Sequence, residues 1–255
     1  MKKALLAVSF GTTVPRAVAA IAALEKRFQE AAPDRYFYRA FTSPTIRRVL
    51  AERGEEVLSV EEALERMTEE GCGDVAVQPS YVLCGGEYSR LLETAARHRQ
   101  KAPDCALRVG RPLLSSPADL RRAAEILWTA YRPAEGALAL FGHGTDHLAD
   151  MAYPALQTAL RLAGIGNAYV ATVEGWPAFG DLLAQLREEN FRRVTLAPLM
   201  LVAGDHALKD MAGDGPESWR SRLLAEGFEV ECHLRGLGEL EEIRELYTQH
   251  LREIL

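Results

Sequence analysis

Short apolar runs alternate with amphipathic helical patterns along the chain, and this alternation constrains the fold more than any other feature. In the first half we expect strands at residues 4–9, 36–41, 75–82 and 106–109, and helices at 15–31, 45–52, 60–70, 87–101 and 117–131. A strand, helix, strand order needs crossover connections, so the sheet should be parallel, with right-handed crossovers. The pattern therefore predicts an α/β fold.

The second half repeats this order. We expect strands at residues 137–141, 167–173, 193–201 and 228–234, and helices at 148–163, 178–189, 216–226 and 240–255. Landmarks also coincide, with Gly11 matching Gly144, Pro79 matching Pro198 and Gly85 matching Gly204. We predict two similar Rossmann-like or flavodoxin-like domains, residues 1–133 and 134–255, that arose by duplication. The alternative is that βα units resemble one another generically.

The composition is that of a globular protein with a small-molecule partner. The chain has 255 residues, 48% hydrophobic and 26% charged, with a net charge of -6. This balance argues against disorder and against a nucleic-acid surface. No apolar run approaches the roughly 18 to 20 residues of a membrane span, and the N-terminal run is too short for a signal peptide. The four cysteines form no CxxC pair, which suits reduced thiols, so we expect a cytoplasmic protein with no membrane partner.

Candidate metal ligands follow three consecutive strands of the second half. The apolar run 137–140 leads into residues 141–147 (FGHGTDH), which contain His143, and the next two strands end near Glu174 and His206. Ligands of open α/β sheets bind at these carboxyl ends. Two imidazoles and a carboxylate suit a divalent first-row metal and leave positions open for chemistry or transfer. Taken singly, each residue has an ordinary alternative: a hydrogen-bonding turn residue, a solvated carboxylate and a helix-start residue.

The first half offers different chemistry at the corresponding strand ends. Its first strand ends in Ser9, Phe10, Gly11 and Thr12, which we predict to contact an organic partner. Glu87 occupies the place that His206 has in the second half, and is a candidate acid or base or a helix-capping carboxylate. If the carboxyl edges of the two domains face each other, the active site lies in the interdomain cleft.

Several other polar residues are expected to have supporting or structural roles. We expect His147 to orient a ligand or bind a substrate carboxylate, and Asp205 or Asp210 to fix the ring of His206 or to cap the turn. His98 lies in a charged helix and is predicted to face solvent. His233 and His250 are expected to be structural.

Five stretches resemble the anaerobic cobalt chelatases of the CbiK type, class II chelatases related to ferrochelatase. They are residues 8–13 (VSFGTT), 142–147 (GHGTDH), 173–177 (VEGWP), 198–206 (PLMLVAGDH) and 210–214 (DMAGD). The resemblance runs from residue 4 to about residue 250. It implies a chelatase-like fold and an enzyme that inserts Co²⁺ into sirohydrochlorin, releasing two protons, in anaerobic cobalamin (vitamin B12) biosynthesis.

The resemblance also assigns roles to individual residues. It implies that His143, Glu174 and His206 bind cobalt as the substrate metal, with His143 also the proton acceptor. No phosphate loop of the GxxxxGK[ST] form occurs, and no nucleotide is expected. One departure is Tyr81, where family members tend to carry a histidine, because a tyrosine cannot act as a base at neutral pH.

Other functions remain compatible with these residues. A His and Glu ligand set does not select among Fe²⁺, Co²⁺ and Ni²⁺, so a ferrochelatase-type enzyme acting on sirohydrochlorin or a porphyrin is one alternative. A non-catalytic metal or tetrapyrrole carrier and a metal-dependent hydrolase are the others. Candidate cations for the substrate carboxylates are Arg47, Arg90, Arg111 and Lys209. The sequence leaves the oligomeric state open, a homo-oligomer included.

Overall fold

A computed structural model describes residues 1–255 and contains two parallel sheets. The strands are β1 (Lys2–Ser9), β2 (Tyr36–Phe41), β3 (Cys72–Pro79), β4 (Ala106–Val109), β5 (Ala137–Gly142), β6 (Ala168–Thr172), β7 (Arg193–Pro198) and β8 (Glu229–Cys232). The sheet orders are β2-β1-β3-β4 and β6-β5-β7-β8, and every strand pair is parallel. The predicted α/β class with two similar sheets is confirmed.

Helices connect the strands in both halves. They are α1 (Pro15–Ala31), α2 (Pro44–Glu52), α3 (Val60–Glu69), α4 (Gly86–Lys101), α5 (Pro117–Tyr131), α6 (Ala152–Leu162), α7 (Phe179–Glu188), α8 (Trp219–Ala225) and α9 (Glu241–Arg252). A 3-10 turn at Leu148–Met151 precedes α6, and a π-helical turn occupies Ala207–Met211. None of the helices combines the length and apolar character that spanning a bilayer requires.

Each sheet is covered by helices on both faces. The first five residues of β5, from Ala137 to Phe141, expose none of their surface. Continuous apolar strands of this kind are expected where a parallel sheet is buried on both sides. The helices begin at local signals, as at α5, where the Ser116 hydroxyl accepts a hydrogen bond from Asp119 N at 3.2 Å and Pro117 follows.

Both sheets continue past their strands through the same three backbone hydrogen bonds. In the first sheet they run from Thr42 N to Ser9 O (2.9 Å), from Ser43 N to Phe10 O (3.2 Å) and from Ser80 N to Val8 O (2.8 Å). In the second they run from Val173 N to Gly142 O (3.1 Å), from Glu174 N to His143 O (2.9 Å) and from Leu199 N to Phe141 O (2.8 Å). His143 thus takes the place of Phe10, and Glu174 that of Ser43.

Packing divides the chain into one unit of Met1–Ser115 with Arg244–Leu255 and a second unit of Ser116–Ile243. The predicted limits, 1–133 and 134–255, differ from these units at two segments. Helix α5 belongs to the second unit, where the Tyr131 hydroxyl donates to Arg235 O at 2.7 Å. Most of α9 belongs to the first, because the buried Tyr247 hydroxyl lies 3.0 Å from the carbonyl oxygens of both Ser80 and Tyr81. The repeat in sequence therefore does not coincide with the packed units.

The position of His98 corrects an expectation. Its side chain is buried in the first unit, with Nε2 3.4 Å from the Thr68 hydroxyl, so the predicted solvent-facing position was wrong. Burial, with the nearby charge of Lys101, lowers the pKa of His98 below its usual value. Leu91, Ala95 and His98 are spaced as on one helical face, and that spacing is the sequence signal that indicates burial.

Candidate metal centre

The three candidate ligands lie at the carboxyl edge of the second sheet. His143 directly follows β5, which lies between β6 and β7, while Glu174 follows β6 and His206 precedes the π-helical turn after β7. The chain leaves β5 to one neighbour, β6, and then returns to the other neighbour, β7, so the strand order reverses at β5. The carboxyl edge at such a reversal is the usual binding place for ligands in open α/β sheets. The sheet topology therefore explains why residues far apart in sequence meet.

The structure brings His143 into contact with His206 and places Glu174 near His143. The rings of His143 and His206 are in edge-to-face contact, with centroids 4.6 Å apart and planes at 89°. Glu174 Oε2 lies 3.9 Å from His143 Nδ1. As they stand, no three His, Cys, Asp or Glu side chains converge to hold a metal ion. Glu174 is the most exposed of the three, at 61%.

Hydrogen bonds at Nδ1 define the free nitrogen of both imidazoles. His206 Nδ1 lies 2.6 Å from Asp210 Oδ2, and His143 Nδ1 lies 3.0 Å from Gly144 O. A carboxylate and a carbonyl oxygen only accept, so each Nδ1 carries a hydrogen and donates. The lone pair is then on Nε2 of both rings, which is the form that binds a metal. The predicted contact of Asp210 with His206 is confirmed, whereas Asp205 pairs with Lys209 at 3.3 Å.

The backbones of the two ligand loops touch at glycines. Gly144 has φ +86°, and a Cβ there would lie 2.3 Å from Gly175 N. Gly144 N donates to the buried Tyr153 hydroxyl at 3.1 Å, and burial raises the pKa of Tyr153 to about 12. A neutral phenol therefore supports the turn after His143, and only glycine fits the approach of the two loops.

Asp150 and Trp176 were not singled out from the sequence as site residues. Asp150 is buried and accepts backbone hydrogen bonds from both ligand loops, whereas the indole of Trp176, two residues after Glu174, is 52% exposed. Whether a single aromatic side chain is exposed, and whether two distant loops meet, depends on the tertiary structure and cannot be read from the local sequence. The only local signal is the position of Asp150 in the first turn after the His143 loop.

The four residues predicted to contact an organic partner lie at the end of β1. The Ser9 hydroxyl is buried against that of Ser80 at 2.7 Å, and the buried Thr12 hydroxyl accepts from Val14 N at 3.2 Å. Gly11 has φ +96°, and Phe10 is 52% exposed. Phe10 is therefore the residue of this group whose side chain is available to a ligand.

The remaining candidates in the first unit are paired or buried. Glu87 lies in the first turn of α4 and forms an ion pair with Arg90. Tyr81 is buried, and burial raises the pKa of its hydroxyl far above the usual range, so it cannot serve as a base near neutral pH. Of the predicted cations, the other three also have carboxylate partners: Arg47 with Glu62, Arg111 with Glu253 and Lys209 with Asp205.

His147 does not contact the other candidates. Its Nδ1 accepts a hydrogen bond from Ala149 N at 3.0 Å, which caps the 3-10 turn, and its side chain is exposed. In this structure His147 therefore does not have the predicted role of orienting one of the three candidate metal ligands.

A cavity of about 380 Å³ adjoins Asp210 in the second unit. It is lined by the end of β6 and the starts of α7 and α8, with Phe179, Glu217 and Arg222 among its side chains. The Arg222 guanidinium lies 3.8 Å from the centre of the Phe179 ring. A cation stacked on an aromatic ring in a cavity that Asp210 also lines offers a contact for an anionic group.

The fold is that of an α/β protein with two parallel sheets, and a pair of histidines lies in contact at the carboxyl edge of the second. Comparison with known proteins assigns it further: the chain belongs to the cobalt chelatase (CbiK) family, whose family model matches residues 3–255.

Curated relatives match over nearly the full length. The sirohydrochlorin cobaltochelatase of Salmonella typhimurium is 38% identical over 263 residues, which cover 100% of this chain and 97% of that protein. The sirohydrochlorin cobaltochelatase CbiKC of Nitratidesulfovibrio vulgaris is 34% identical over 253 residues, covering 98% of this chain and 89% of that protein. The predicted resemblance to the family is confirmed.

Solved structures show the same fold at lower identity. SirB from Bacillus subtilis with Fe³⁺ has a TM-score of 0.71 and 16% identity, covering 100% of this chain and 96% of its own. CbiX, the terminal enzyme of siroheme biosynthesis in denitrifying bacteria, has a TM-score of 0.59 and 19% identity, covering 99% and 100%. The chelatase-like fold is thus confirmed.

Proposed function

We propose that this chain is a sirohydrochlorin cobaltochelatase that inserts Co²⁺ into sirohydrochlorin, with release of two pyrrole protons, in cobalamin biosynthesis. Family membership and two curated relatives of that name support the reaction. The observation that carries the proposal is the contact of His143 with His206, each with Nδ1 hydrogen-bonded and Nε2 free. Imidazole nitrogens held in this tautomer by a partner at the other ring nitrogen are the form in which histidine binds metals.

Cobalt is a substrate here, so the site must bind it and then release it. We assign the metal contacts to His143, Glu174 and His206. Neutral imidazole nitrogens and a carboxylate bind a divalent ion in competition with protons. All three side chains are 44% to 61% exposed, which leaves room for water and for the ring nitrogens that replace them. An incomplete set of protein ligands favours transfer over retention.

The pyrrole protons need acceptors as the metal leaves. We assign the first to His143, because loss of the metal returns a lone pair to its Nε2. The exposed ring can pass that proton to water. Glu87 is proposed as a second acid or base, since it is a partly exposed carboxylate at the carboxyl edge of the first sheet. Two protons leave the ring for each Co²⁺ that enters, so charge is conserved.

The substrate is a flat macrocycle with carboxylate side chains, and the exposed aromatic residues suit its faces. Trp176 lies beside Glu174, and Phe10 ends β1 with Ser9, Gly11 and Thr12 around it. We propose that these strand ends contact the ring and that Arg222 binds one of its carboxylates. None of the four cysteines forms a disulfide, in accord with the cytoplasmic location that we propose.

An anaerobic absorbance assay with sirohydrochlorin and Co²⁺ tests the proposal. We expect rapid formation of the cobalt-ring spectrum by the parent and at least about 100-fold slower formation by His143→Ala and His206→Ala. His233→Ala is the matched control, because this partly exposed histidine stacks on Tyr131 instead. A parent rate equal to the uncatalysed rate would exclude the reaction.

The same assay separates the alternatives. Faster insertion of Fe²⁺ or Ni²⁺ than of Co²⁺, or of a porphyrin than of sirohydrochlorin, would indicate a ferrochelatase-type enzyme. Tight binding of metal and ring without insertion would indicate a carrier.

A further inference from the structure

A buried carboxylate joins the two loops that carry His143 and Glu174. Asp150 is 8% exposed and lies in the 3-10 turn before α6. Its Oδ1 accepts a hydrogen bond from Thr145 N at 3.0 Å, and its Oδ2 accepts one from Trp176 N at 2.7 Å. Thr145 is two residues after His143, and Trp176 is two residues after Glu174. One side chain thus fixes the spacing of both ligand loops.

The fit around this carboxylate leaves no room for displacement. A Cβ at Gly175 would lie 2.2 Å from Asp150 Oδ1, and one at Gly144 would lie 2.3 Å from Gly175 N. Contacts this short are possible only between glycine backbone and its neighbours. A shift of Asp150 would therefore move the Glu174 loop against the His143 loop.

The first unit has a helix start at the corresponding position without the carboxylate. Its helix α1 begins at Pro15, as the 3-10 turn begins at Leu148, so the counterpart of Asp150 is the buried Ala17. In the first unit, where the corresponding loops carry Phe10 and Ser43, an apolar residue is thus enough to fill this buried position. Burying a carboxylate is costly unless its hydrogen bonds are satisfied, so the position needs a reason beyond the fold. The carboxylate occurs in the unit that holds His143 and Glu174, and is absent from the unit that lacks them.

We infer that Asp150 is a positioning residue for the metal site, which holds the backbones of the His143 and Glu174 loops together so that both side chains can reach one divalent ion. It acts through the backbone amides of Thr145 and Trp176 and does not itself touch metal or ring. Outer partners that orient ligands in this way contribute about 10- to 100-fold to metal affinity. The inference rests on the proposed function for the identity of the ligands.

The test is the substitution Asp150→Asn, which keeps the shape and replaces one accepting oxygen by an NH₂ group facing an N–H. The matched control is Asp181→Asn, since Asp181 Oδ2 also accepts a backbone hydrogen bond, from Ala178 N at 2.8 Å, at the start of α7. Each protein is titrated with Co²⁺ alone, without tetrapyrrole, by the visible absorption of the bound ion. Amide hydrogen exchange of Thr145 and Trp176 is measured in parallel.

We expect Asp150→Asn to bind Co²⁺ about 10- to 100-fold more weakly, with an altered cobalt spectrum. Exchange at Thr145 or Trp176 should be about tenfold faster, as loss of a single hydrogen bond permits. Asp181→Asn should keep the parent spectrum and affinity. If Asp150→Asn does not fold, Gly175→Ala is measured instead, because its Cβ displaces the same contact from the other side.

A parent-like cobalt spectrum and affinity in Asp150→Asn, or equal losses in both variants, would overturn the inference. Failure of the parent to bind Co²⁺ would overturn it together with the proposed function. Parent Co²⁺ binding without insertion would contradict only the proposed function, because the titration contains no ring.

Discussion

Asp210 Oδ2 lies 2.6 Å from Nδ1 of His206, four residues earlier in the chain. This bond places the ring hydrogen of His206 on Nδ1 and leaves Nε2 as its free nitrogen. His143 obtains the same tautomer from a neutral carbonyl, that of Gly144. The two histidines therefore differ in the acceptor at Nδ1, which is a carboxylate for His206 and a backbone carbonyl for His143.

Replacing Asp210 by Asn tests this difference. An amide is a weaker acceptor, and it also permits the ring to reverse its tautomer, so we expect Co²⁺ affinity and insertion rate to fall about 10-fold or more. Initial rates across Co²⁺ concentrations measure both. Asp205→Asn is the control, because Asp205 pairs only with the exposed Lys209. Equal rates for Asp210→Asn and the parent would show that the bond does not tune the site.

Gly144→Ala should disrupt the contact between the ligand loops. Gly144 and Gly227 both have φ +86°, but a Cβ at Gly227 would meet nothing within 4 Å. Left-handed backbone alone costs about 1 to 2 kcal/mol in Gly227→Ala. The clash with Gly175 should destabilise Gly144→Ala by about 1 to 3 kcal/mol more, as overpacking does. Chemical denaturation gives both values, and equal losses would mean that the loops adjust freely.

Trp176→Ala should weaken binding of the ring without affecting the metal. Loss of an exposed aromatic contact of about 1 kcal/mol or slightly more raises KM for sirohydrochlorin roughly 10-fold. Co²⁺ affinity without the ring should remain at the parent value. Leu162→Ala is the control, since Leu162 is an exposed apolar residue at the end of α6. Parent-like KM in Trp176→Ala would remove this residue from the substrate surface.

Glu87→Gln removes the proposed second proton acceptor while keeping its shape. We expect kcat to fall about 100-fold, the lower range for loss of a general acid or base, with KM for Co²⁺ unchanged. Glu93→Gln on the exposed face of α4 is the control. If Glu87→Gln keeps the parent kcat, the carboxylate serves only the ion pair with Arg90 and the helix terminus.

His98 should make stability depend on pH. Its pKa is lowered in the folded state, so below the ordinary value of 6.5 the unfolded chain binds more protons. The contribution of neutral His98 to the free energy of unfolding is therefore fully present above about pH 6.5. It is lost as the pH falls from the pKa of His98 in the unfolded chain through its lower pKa in the folded protein. Denaturation midpoints from about pH 7.5 to 5 should fall less steeply in His98→Gln. Parallel curves for the two proteins would contradict this assignment.

The sequence predicts the order of elements well because both sheets are built from buried apolar strands. Its limits are visible in β3, expected at residues 75–82 and found at Cys72–Pro79. Tyr81 remains buried after the strand has ended, so hydrophobicity continues where the ladder stops. At the other end Asp74 is held by Arg35 at 3.1 Å, a long-range pairing that local hydropathy does not reveal.

The site was predictable to the extent that its residues follow strands. His143, Glu174 and His206 meet because parallel strands end at one edge, a rule that needs no coordinates. Asp150 escaped prediction because its role depends on two loops that close around it. A carboxylate in the first turn of a helix has many ordinary explanations, and only the distances select one.

Most of helix α9 packs in the first unit although it is the last helix in the chain, and this affects the order in which the two units can fold during translation. Tyr247 is fully buried there, and Arg108 Nε donates to Ile254 O at 2.6 Å, so the first unit is completed by residues made after the whole second sheet. On the ribosome the amino-terminal half must wait for these residues, while the unit that holds the metal ligands already has all its elements. The order of translation is thus the reverse of the order in which the two halves can mature.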